Sequence, residues 1–462
     1  MAPDATVLQG SGGNYSGTTA PGSPTILPDW RSISLRNVRD LLGLIAVLAL
    51  ATNFLYFSYF RSYSYPDTQT YRTPASNLIN GHGFADPLGY PETFVPPGYP
   101  LLIALFLRAG LDLKYLVLLQ HLLHVLLATA TTAAAFKLTG SRRPALIAGI
   151  LVSIDLPMLD AANHIITDIS FTTILTIVLW LLWTGSRQSE ARWSNRLFFS
   201  GLLAGAATLI KPINQFFFLP VIIYLLATRK RSRLWAVICF VLPCLCLPFL
   251  WAARNYREAG YFGVTSLPGI EVLCCRASGV LALDDPGDFN TNASRRRAQM
   301  ENVACDQVKR LYGKDCSELS FAQKSPIFMR VGRKVLMEHL FGLVRLTFRG
   351  AALVLLDGGA SSLPGIINPH LAIKLLLIYT LPAFSFAVAG LWKLWTQNRQ
   401  FSLLALLTVG YFVLLASGAE SYSRYRVPVV PVYSILTAIG IEGALTYLRK
   451  QKSHRSIETK VP

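Results

Sequence analysis

Long apolar runs separated by short polar connections form the dominant pattern of this chain. Most runs approach the roughly 20 residues that cross a 30 Å hydrocarbon core as a helix. The pattern predicts an all-α polytopic membrane protein with about 10 membrane-spanning helices, or alternatively about 11. The predicted spans lie at about 41–60, 115–136, 144–160, 166–184, 197–212, 214–228, 234–253, 371–392, 401–417 and 428–447.

The polar connections alternate in charge. Those at 137–143, 184–196 and 228–233 are basic, whereas those at 61–114 and 160–168 are mixed or acidic. Cytoplasmic loops of membrane proteins carry the excess of Lys and Arg. The alternation therefore predicts a cytoplasmic N-terminus and places the mixed loops on the extracytoplasmic side.

Two apolar segments do not fit the count of spans directly. Residues 98–113 contain Arg108 and Asp112, and a full span there would turn every later basic loop outward. We expect a juxtamembrane or re-entrant helix on the outer surface instead. Residues 334–357 are amphipathic to apolar and fit a surface helix or an eleventh span; a cytoplasmic position for the basic C-terminal tail requires that they do not cross.

These assignments divide the chain into five parts. The first 40 residues are rich in Gly, Ser, Pro and Thr and read as a flexible cytoplasmic tail. The other parts are a transmembrane module at 41–253 with its outer loop at 61–114, an extracytoplasmic segment at 254–370, C-terminal transmembrane helices at 371–447, and a basic cytoplasmic tail at 448–462.

Composition supports this class. Charged residues make up 15% of the chain, well below the roughly 25% of soluble domains. The net charge of +18 comes from short clusters between apolar runs, so it indicates topology and argues against nucleic-acid binding. Four cysteines fall in one polar segment, where three disulfide pairings stay open: Cys274, Cys275, Cys305 and Cys316.

The loop from Arg61 to Gly98 is much longer than a connector between two spans needs to be. Loops of this length without secondary structure are usually functional or disordered, and its aromatic content argues against disorder. Asp67 lies in it among Tyr63, Tyr65 and Tyr71. We interpret the loop as one wall of an active site.

Further polar residues lie at the outer ends of the predicted spans. Ionisable residues at such positions are functional candidates by default because burying a charge near lipid is costly. Each also has a structural reading, since an acid at a helix start is stabilised by the helix dipole and arginines reach to headgroups. The candidates are Asp67, His164, Asp168, Lys211, Arg254, Asn255, Arg424, Tyr425 and Arg426.

This set suits chemistry on an anionic lipid at a membrane surface. Lys and Arg hold phosphate, Arg through bidentate hydrogen bonds. A neighbouring carboxylate takes the proton of an attacking hydroxyl. Tyr71, Tyr90 and Tyr99 are candidates for stacking on sugar faces, although tyrosines more often serve in packing.

The order of these pieces resembles the GT-C superfamily of polyprenyl-phosphate-sugar-dependent glycosyltransferases, especially the bacterial protein-mannosyltransferase and aminoarabinose-transferase-like group. The resemblance covers about residues 40–447. It is carried by PDTQTY (66–71), NLINGHGFADP (77–87), PPGYPLLIALFLRAG (96–110), HIITDISF (164–171), GLLAGAATLIKP (201–212), RNYREAGYFGVTSLPG (254–269) and SRYRVPVVPVYSILTAIG (423–440).

The resemblance implies roles for the matching residues. Asp67 corresponds to the acidic residue that serves as catalytic base or orients the acceptor, although Thr68 replaces the second acid of the usual pair. Asp168 corresponds to the acid that opens the fourth span, and Lys211 to the basic residue that faces the lipid phosphate. Arg254 with Asn255, and Arg424 with Arg426, correspond to the family's two remaining basic motifs.

The implied function is an inverting glycosyltransferase of the inner membrane with its active site facing the periplasm or exterior. Its partners would be a polyprenyl-phosphate sugar donor, an acceptor glycan, lipid or protein, and membrane lipids. No His, Cys or Asp spacing specifies a metal, and a divalent ion near the carboxylates stays open. The alternatives are a multi-pass transporter or lipid flippase, and more weakly a non-catalytic assembly subunit.

Overall fold

The chain folds into helices throughout the part that the structure describes. In this computed structural model the described residues are 35–185, 190–228, 232–362 and 369–458. Apart from one isolated antiparallel bridge between Ala85 and Pro91, their regular secondary structure is helical. Most of the predicted N-terminal tail and the last residues of the C-terminal tail lie outside the described ranges.

The first half of the described chain runs from α1 to α10, with a short 3-10 helix at Pro212–Phe216 between α8 and α9. The helices are α1 (Leu35–Tyr59), α2 (Thr68–Ile79), α3 (Gly98–Arg108), α4 (Lys114–Thr139), α5 (Arg142–Ser153), α6 (Leu156–Asn163), α7 (Asp168–Gly185), α8 (Glu190–Ile210), α9 (Phe218–Thr228) and α10 (Arg233–Ala259).

The second half begins with short helices that a π-helix at Glu271–Ala277 joins. A 3-10 helix at Ser423–Val429 leads into the last helix. The helices are α11 (Leu267–Ile270), α12 (Ser278–Ala282), α13 (Phe289–Tyr312), α14 (Phe321–Glu338), α15 (Leu340–Leu356), α16 (Pro369–Gln397), α17 (Arg399–Ala416) and α18 (Val430–Glu458), with short 3-10 turns at Cys316–Glu318 and Ala360–Ser362.

The all-α polytopic class is confirmed. Among the described helices, seven are long and apolar enough to cross a membrane, or up to nine if each of two bent helix pairs is one span. The seven comprise α1, α4, α7, α10, α16, α17 and the last helix with its 3-10 start. The stretch predicted as a span at 214–228 and the stretch at 98–113 contain shorter apolar helices.

The described helices bend at two places, and local chemistry explains the first. Between α5 and α6 the chain turns by 47°, because the Asp155 side chain accepts a hydrogen bond from Met158 N and starts a new helix. Between α14 and α15 it turns by 100° at His339. Residues 334–357, left open between a span and a surface helix, thus contain a sharp corner.

Close helix packing fixes the end of α8. A side chain at Gly201 or Gly205 would collide with the backbone oxygens of Phe240 or Cys244 on α10. Small residues four apart allow this approach of two backbones, as in membrane helix pairs. This contact fixes the position of α8 along α10, and with it the position of Lys211, which follows α8.

Within the described residues, the four cysteines of the polar segment form one disulfide, between Cys305 and Cys316. It joins the end of α13 to the next 3-10 turn across 11 residues. Cys274 and Cys275 are free and buried in the π-helix. The sequence had left this pairing open.

The loop from 61 to 98 is ordered by its own polar side chains. Asp86 accepts hydrogen bonds from the backbone of Leu88 and Tyr90. Glu92 accepts from Phe94 N and Val95 N, and its side chain is buried. Burial outweighs these hydrogen bonds and raises the pKa of Glu92 to about 7.

The raised pKa of Glu92 predicts that the stability of the protein depends on pH. The folded protein favours the protonated acid, so the stability that Glu92 contributes is complete below the unfolded pKa of about 4.3 and is lost as pH rises through about 7. Between these two pH values the wild type should lose up to about 3 kcal/mol of unfolding free energy. The Glu92→Gln variant should not show this loss, because its side chain does not titrate. The measurement is apparent Tm in detergent at pH 5 and pH 8.

The exposed Glu301→Gln serves as the charge-matched control and should leave the pH slope as in the wild type. An equal slope in the wild type and the Glu92→Gln variant would refute the assignment.

Candidate functional site

Arg424 joins two acidic residues that are far apart in sequence. It lies on the 3-10 helix before α18 and is nearly buried. Its Nη1 donates to Asp67 Oδ2 at 2.8 Å, while Nε and Nη2 donate to Asp168 Oδ2 at 3.2 and 3.1 Å. One guanidinium thus ties the 61–98 loop to the start of α7.

Asp168 is the fully buried member of this group. It is the first residue of α7, where the helix dipole favours a negative charge. Its Oδ1 accepts a hydrogen bond from Lys211 Nζ at 2.5 Å, so both carboxylate oxygens are engaged by cations. We call Asp67, Asp168, Lys211 and Arg424 the charge cluster.

Asp67 is the accessible member of the charge cluster. Its side chain is 47% exposed, against 0% for Asp168. Its Oδ1 has no hydrogen-bond partner among the described residues, because Arg424 contacts only Oδ2. A substrate hydroxyl entering from solvent can therefore reach Asp67 but not Asp168.

The position of Asp67 follows from contacts of the loop's first residues. Ile165 N donates to Tyr63 O, and the Thr68 hydroxyl donates to Ile165 O while accepting from Tyr65 N. These bonds hold the start of α2 beside the segment that leads into α7. Thr68 thus has a positioning contact that a carboxylate, which lacks a donor, would not make.

Tyrosines surround the Arg424 guanidinium. The Tyr65 ring lies 4.5 Å from it, a cation–π contact. Tyr422 OH accepts from Arg424 Nη1 at 3.3 Å and lies 2.9 Å from Tyr65 OH. Tyr425 packs edge-on against Tyr422 at 4.9 Å. Burial raises the pKa of Tyr422 well above its usual range, so its hydroxyl stays protonated.

Tyr71 and Tyr99 form the next layer. Their rings meet edge-on at 5.3 Å, and Tyr99 OH donates to Gln120 Oε1 at 2.7 Å. Burial, together with the nearby charge of Asp67, raises the pKa of Tyr71 well above its usual range. Tyr71 is therefore a neutral hydroxyl beside Asp67, whereas the buried Tyr99 supports it.

His164 contacts the site through Tyr65, whose ring lies edge-on at 5.2 Å. Its Nδ1 lies 2.8 Å from Asp160 O and 3.3 Å from the Asp160 carboxylate. Burial acts to lower the pKa of His164, but the hydrogen bonds and charge of Asp160 prevail and raise it. His164 lies next to the charge cluster and is anchored away from it.

Arg254 and Asn255 are engaged elsewhere. Arg254 donates to Glu92 O at 2.7 Å and Phe84 O at 3.0 Å, and its guanidinium lies 4.9 Å from the Trp251 ring. Asn255 donates to Gly263 O at 2.8 Å. Arg254 thus holds the 61–98 loop and Asn255 holds the chain after α10, and their predicted contact with a lipid phosphate stays a prediction.

Arg426 points away from Arg424. Its guanidinium donates to Asp155 Oδ2 at 3.3 Å and to the backbone oxygens of Leu355 and Asp357 at 3.1 and 3.0 Å. The Asp357 carboxylate in turn accepts from Ser423 N. These contacts fix the 3-10 helix that presents Arg424, and a phosphate-binding role for Arg426 stays a prediction.

Three residues next to the charge cluster were absent from the sequence-based candidates: Tyr65, Tyr422 and Gln120. Tyr422 had a weak signal, because it precedes Arg424 by two residues. Gln120 lies beside His121 inside a predicted span, and a polar residue there is a reason to suspect a buried contact.

No metal site accompanies these groups. Within the described ranges, no set of three or more His, Cys, Asp or Glu side chains is placed to hold a metal ion. Between the two carboxylates of the charge cluster lies the Arg424 guanidinium instead.

Comparison with known proteins supports a glycosyltransferase family. Residues 95–252, about a third of the chain, match the family model described as dolichyl-phosphate-mannose-protein mannosyltransferase. The predicted resemblance is confirmed over this range, which contains Asp168 and Lys211 but not Asp67 or Arg424. A comparison with curated protein sequences gave no match.

The fold resembles that of an oligosaccharyltransferase from Archaeoglobus fulgidus, solved with a tethered acceptor peptide. The TM-score is 0.53 at 13% identity, covering 90% of this chain and 51% of that chain. The same enzyme with Zn and sulfate gives a TM-score of 0.51 at 13% identity, with 91% and 51% coverage. This chain spans about half the length of that enzyme.

ArnT from Cupriavidus metallidurans, solved bound to undecaprenyl phosphate, aligns with a TM-score of 0.38 at 14% identity. The alignment covers 87% of this chain and 77% of that chain.

The charge cluster predicts a coupled stability effect. Asp168→Asn leaves the Lys211 and Arg424 cations without their buried carboxylate, which we expect to cost about 3–5 kcal/mol of unfolding free energy. Adding Lys211→Met removes one of the two stranded cations and should recover part of this loss. A double-mutant cycle on apparent Tm measures the coupling; strictly additive single effects would contradict the contact.

Proposed function

We propose that the chain is an integral-membrane glycosyltransferase that moves a monosaccharide from a polyprenyl-phosphate donor to an acceptor hydroxyl. The observation that carries the proposal is the charge cluster, in which the accessible Asp67 contacts Arg424 and the buried Asp168 joins Arg424 to Lys211. The family match, whose description names a dolichyl-phosphate-linked mannose donor, supports this substrate class. The membrane would be the inner membrane, with the site facing the periplasm or exterior.

The proposed reaction is a single displacement. Asp67 takes the proton of the acceptor hydroxyl while the acceptor oxygen bonds to the anomeric carbon. The bond between that carbon and the phosphate oxygen breaks, and its electron pair leaves with the polyprenyl phosphate. The sugar configuration is inverted, and the proton ends on Asp67.

The cations have donors left for the leaving phosphate. An ammonium carries three N–H groups and a guanidinium five. Lys211 uses one of its three on Asp168, and Arg424 uses four on Asp67, Tyr422 and Asp168. Hydrogen bonds from the remaining groups would strengthen as the phosphate gains charge, which lowers the barrier.

An apolar cavity lies deeper in the bundle than the charge cluster. It has a volume of about 310 Å³ and lies between α4, α7, α17 and α18. Its lining includes Pro428, four residues after Arg424, and Thr176, two turns after Asp168. Thr176 lies about 12 Å along α7 from Asp168, so later isoprene units of a lipid whose phosphate met the cations, and not the first ones, would reach this cavity.

The described residues do not fit a metal ion in the charge cluster. The oxygens of Asp168 and one oxygen of Asp67 are taken by Arg424 and Lys211, so the positive charge is already supplied by the chain. We therefore derive no step through a metal.

The charges lie at helix ends and not midway along the helices, which favours an enzyme over a transporter. Asp168 is the first residue of α7, and Arg424 precedes α18.

Loss of the Asp67 carboxylate tests the proposal. We expect Asp67→Asn to lower sugar transfer by about 10²–10⁴-fold, with apparent Tm and membrane insertion kept, because Asp67 is half-exposed. The assay supplies purified protein with a panel of radiolabelled polyprenyl-phosphate sugars and identifies the labelled product.

Asp112→Asn, an exposed change elsewhere in the 61–114 segment, is the matched control and should retain activity. Full transfer by Asp67→Asn would refute the base role. Movement of intact donor across vesicles without transfer by the wild type would favour a flippase.

A further inference from the structure

Helix α14 carries three cations without partners on its outer face. Arg330, Arg333 and Lys334 are exposed, and within the described residues none of them makes a hydrogen bond or an ion pair. Arg330 and Arg333 share this face with Pro326 and Met337, since the four positions follow the helical repeat. The face therefore presents uncompensated positive charge.

Several cations on neighbouring elements are compensated, in contrast to those of α14. Arg295 and Arg296 of α13 pair with Asp285, and Arg297 pairs with Glu420. Arg345 of α15 pairs with Asp284 at 3.0 Å. The three unpaired cations of α14 thus contrast with these four arginines.

The inner face of α14 holds the helix rigidly. A side chain at Gly332 would lie 2.9 Å from the Leu273 backbone of the π-helix, so the two helices are in direct contact. At its start, Ser320 and Gln323 form a capping box. The three cations are therefore displayed on a fixed support.

Exposed apolar residues continue from this face around the corner into α15. Met337 is 61% exposed, Phe341 75% and Phe348 74%. Side chains of this kind in a membrane protein contact lipid, and cations beside them lie at the level of the headgroups. Phe94 of the 61–98 loop packs on Phe321 at the start of α14, which places the helix on the same side of the membrane as Asp67.

We propose that this face is a binding site for the headgroup phosphate of an anionic phospholipid. Its cations border an open depression of about 440 Å³, lined by Pro326, Met329, Arg330, Arg333, Lys334 and Met337. The cations pair with the phosphate, and the two methionines lie along the upper acyl chain. The site is separate from the charge cluster and does not depend on the proposed transfer reaction.

The test is a titration of the full chain in a nonionic detergent with phosphatidylglycerol or phosphatidylcholine, read by native mass spectrometry. We expect phosphatidylglycerol to bind more tightly. The variant R330Q/R333Q/K334Q should lose roughly fivefold in affinity per cation removed, approaching a hundredfold. R330K/R333K, which keeps the charge, should stay within about twofold of the wild type.

The control K309Q/R310Q/K314Q removes the same charge from the end of α13 and the turn after it and should bind like the wild type. Equal binding of the two lipids, wild-type binding by the α14 variant, or an equal loss in the control would overturn the proposal. So would displacement of the lipid by inorganic phosphate at an equal concentration, which would identify a free-phosphate site.

Discussion

The Arg424 guanidinium is the contact on which the arrangement at this end of the bundle depends. A charge this deeply buried is costly unless it is paired and hydrogen-bonded, and Arg424 meets that condition mainly through two hydrogen bonds to the buried Asp168, with Asp67 as a second acceptor. The same pairing brings the 61–98 loop to the start of α7. The tyrosines around the guanidinium shield it from water, which strengthens each of these bonds.

Arg424 and Arg426, at the start of the last helix, have different roles. Arg426 is held by Asp155 and two backbone oxygens, and it fixes the 3-10 helix. Arg424 projects from that fixed turn into the charge cluster. A buried ion pair often contributes little to stability, but it can select one geometry. Here the pair of Arg426 with Asp155 fixes the 3-10 helix and thereby the direction in which Arg424 projects.

The four members of the charge cluster were predictable from the sequence. Alternating basic loops placed Asp67, Asp168, Lys211 and Arg424 on one side, and the structure links the four through hydrogen bonds to Arg424 and Asp168. The sequence could not separate Arg254 and Arg426 from this group, because their acceptors are backbone oxygens of distant segments. Helix breaks were also hidden, since a bend at Asp155 leaves the hydropathy of the run unchanged.

The contact between Asp67 and Arg424 spans 357 positions of the chain. During synthesis, Asp67 and α7 emerge long before the turn that carries Arg424, and Asp168 then has only Lys211 as a charged partner. The cluster closes when the last helix inserts. An incompletely made chain thus lacks the cation that joins its two acids, so the order of synthesis itself keeps the site unassembled until the bundle is complete.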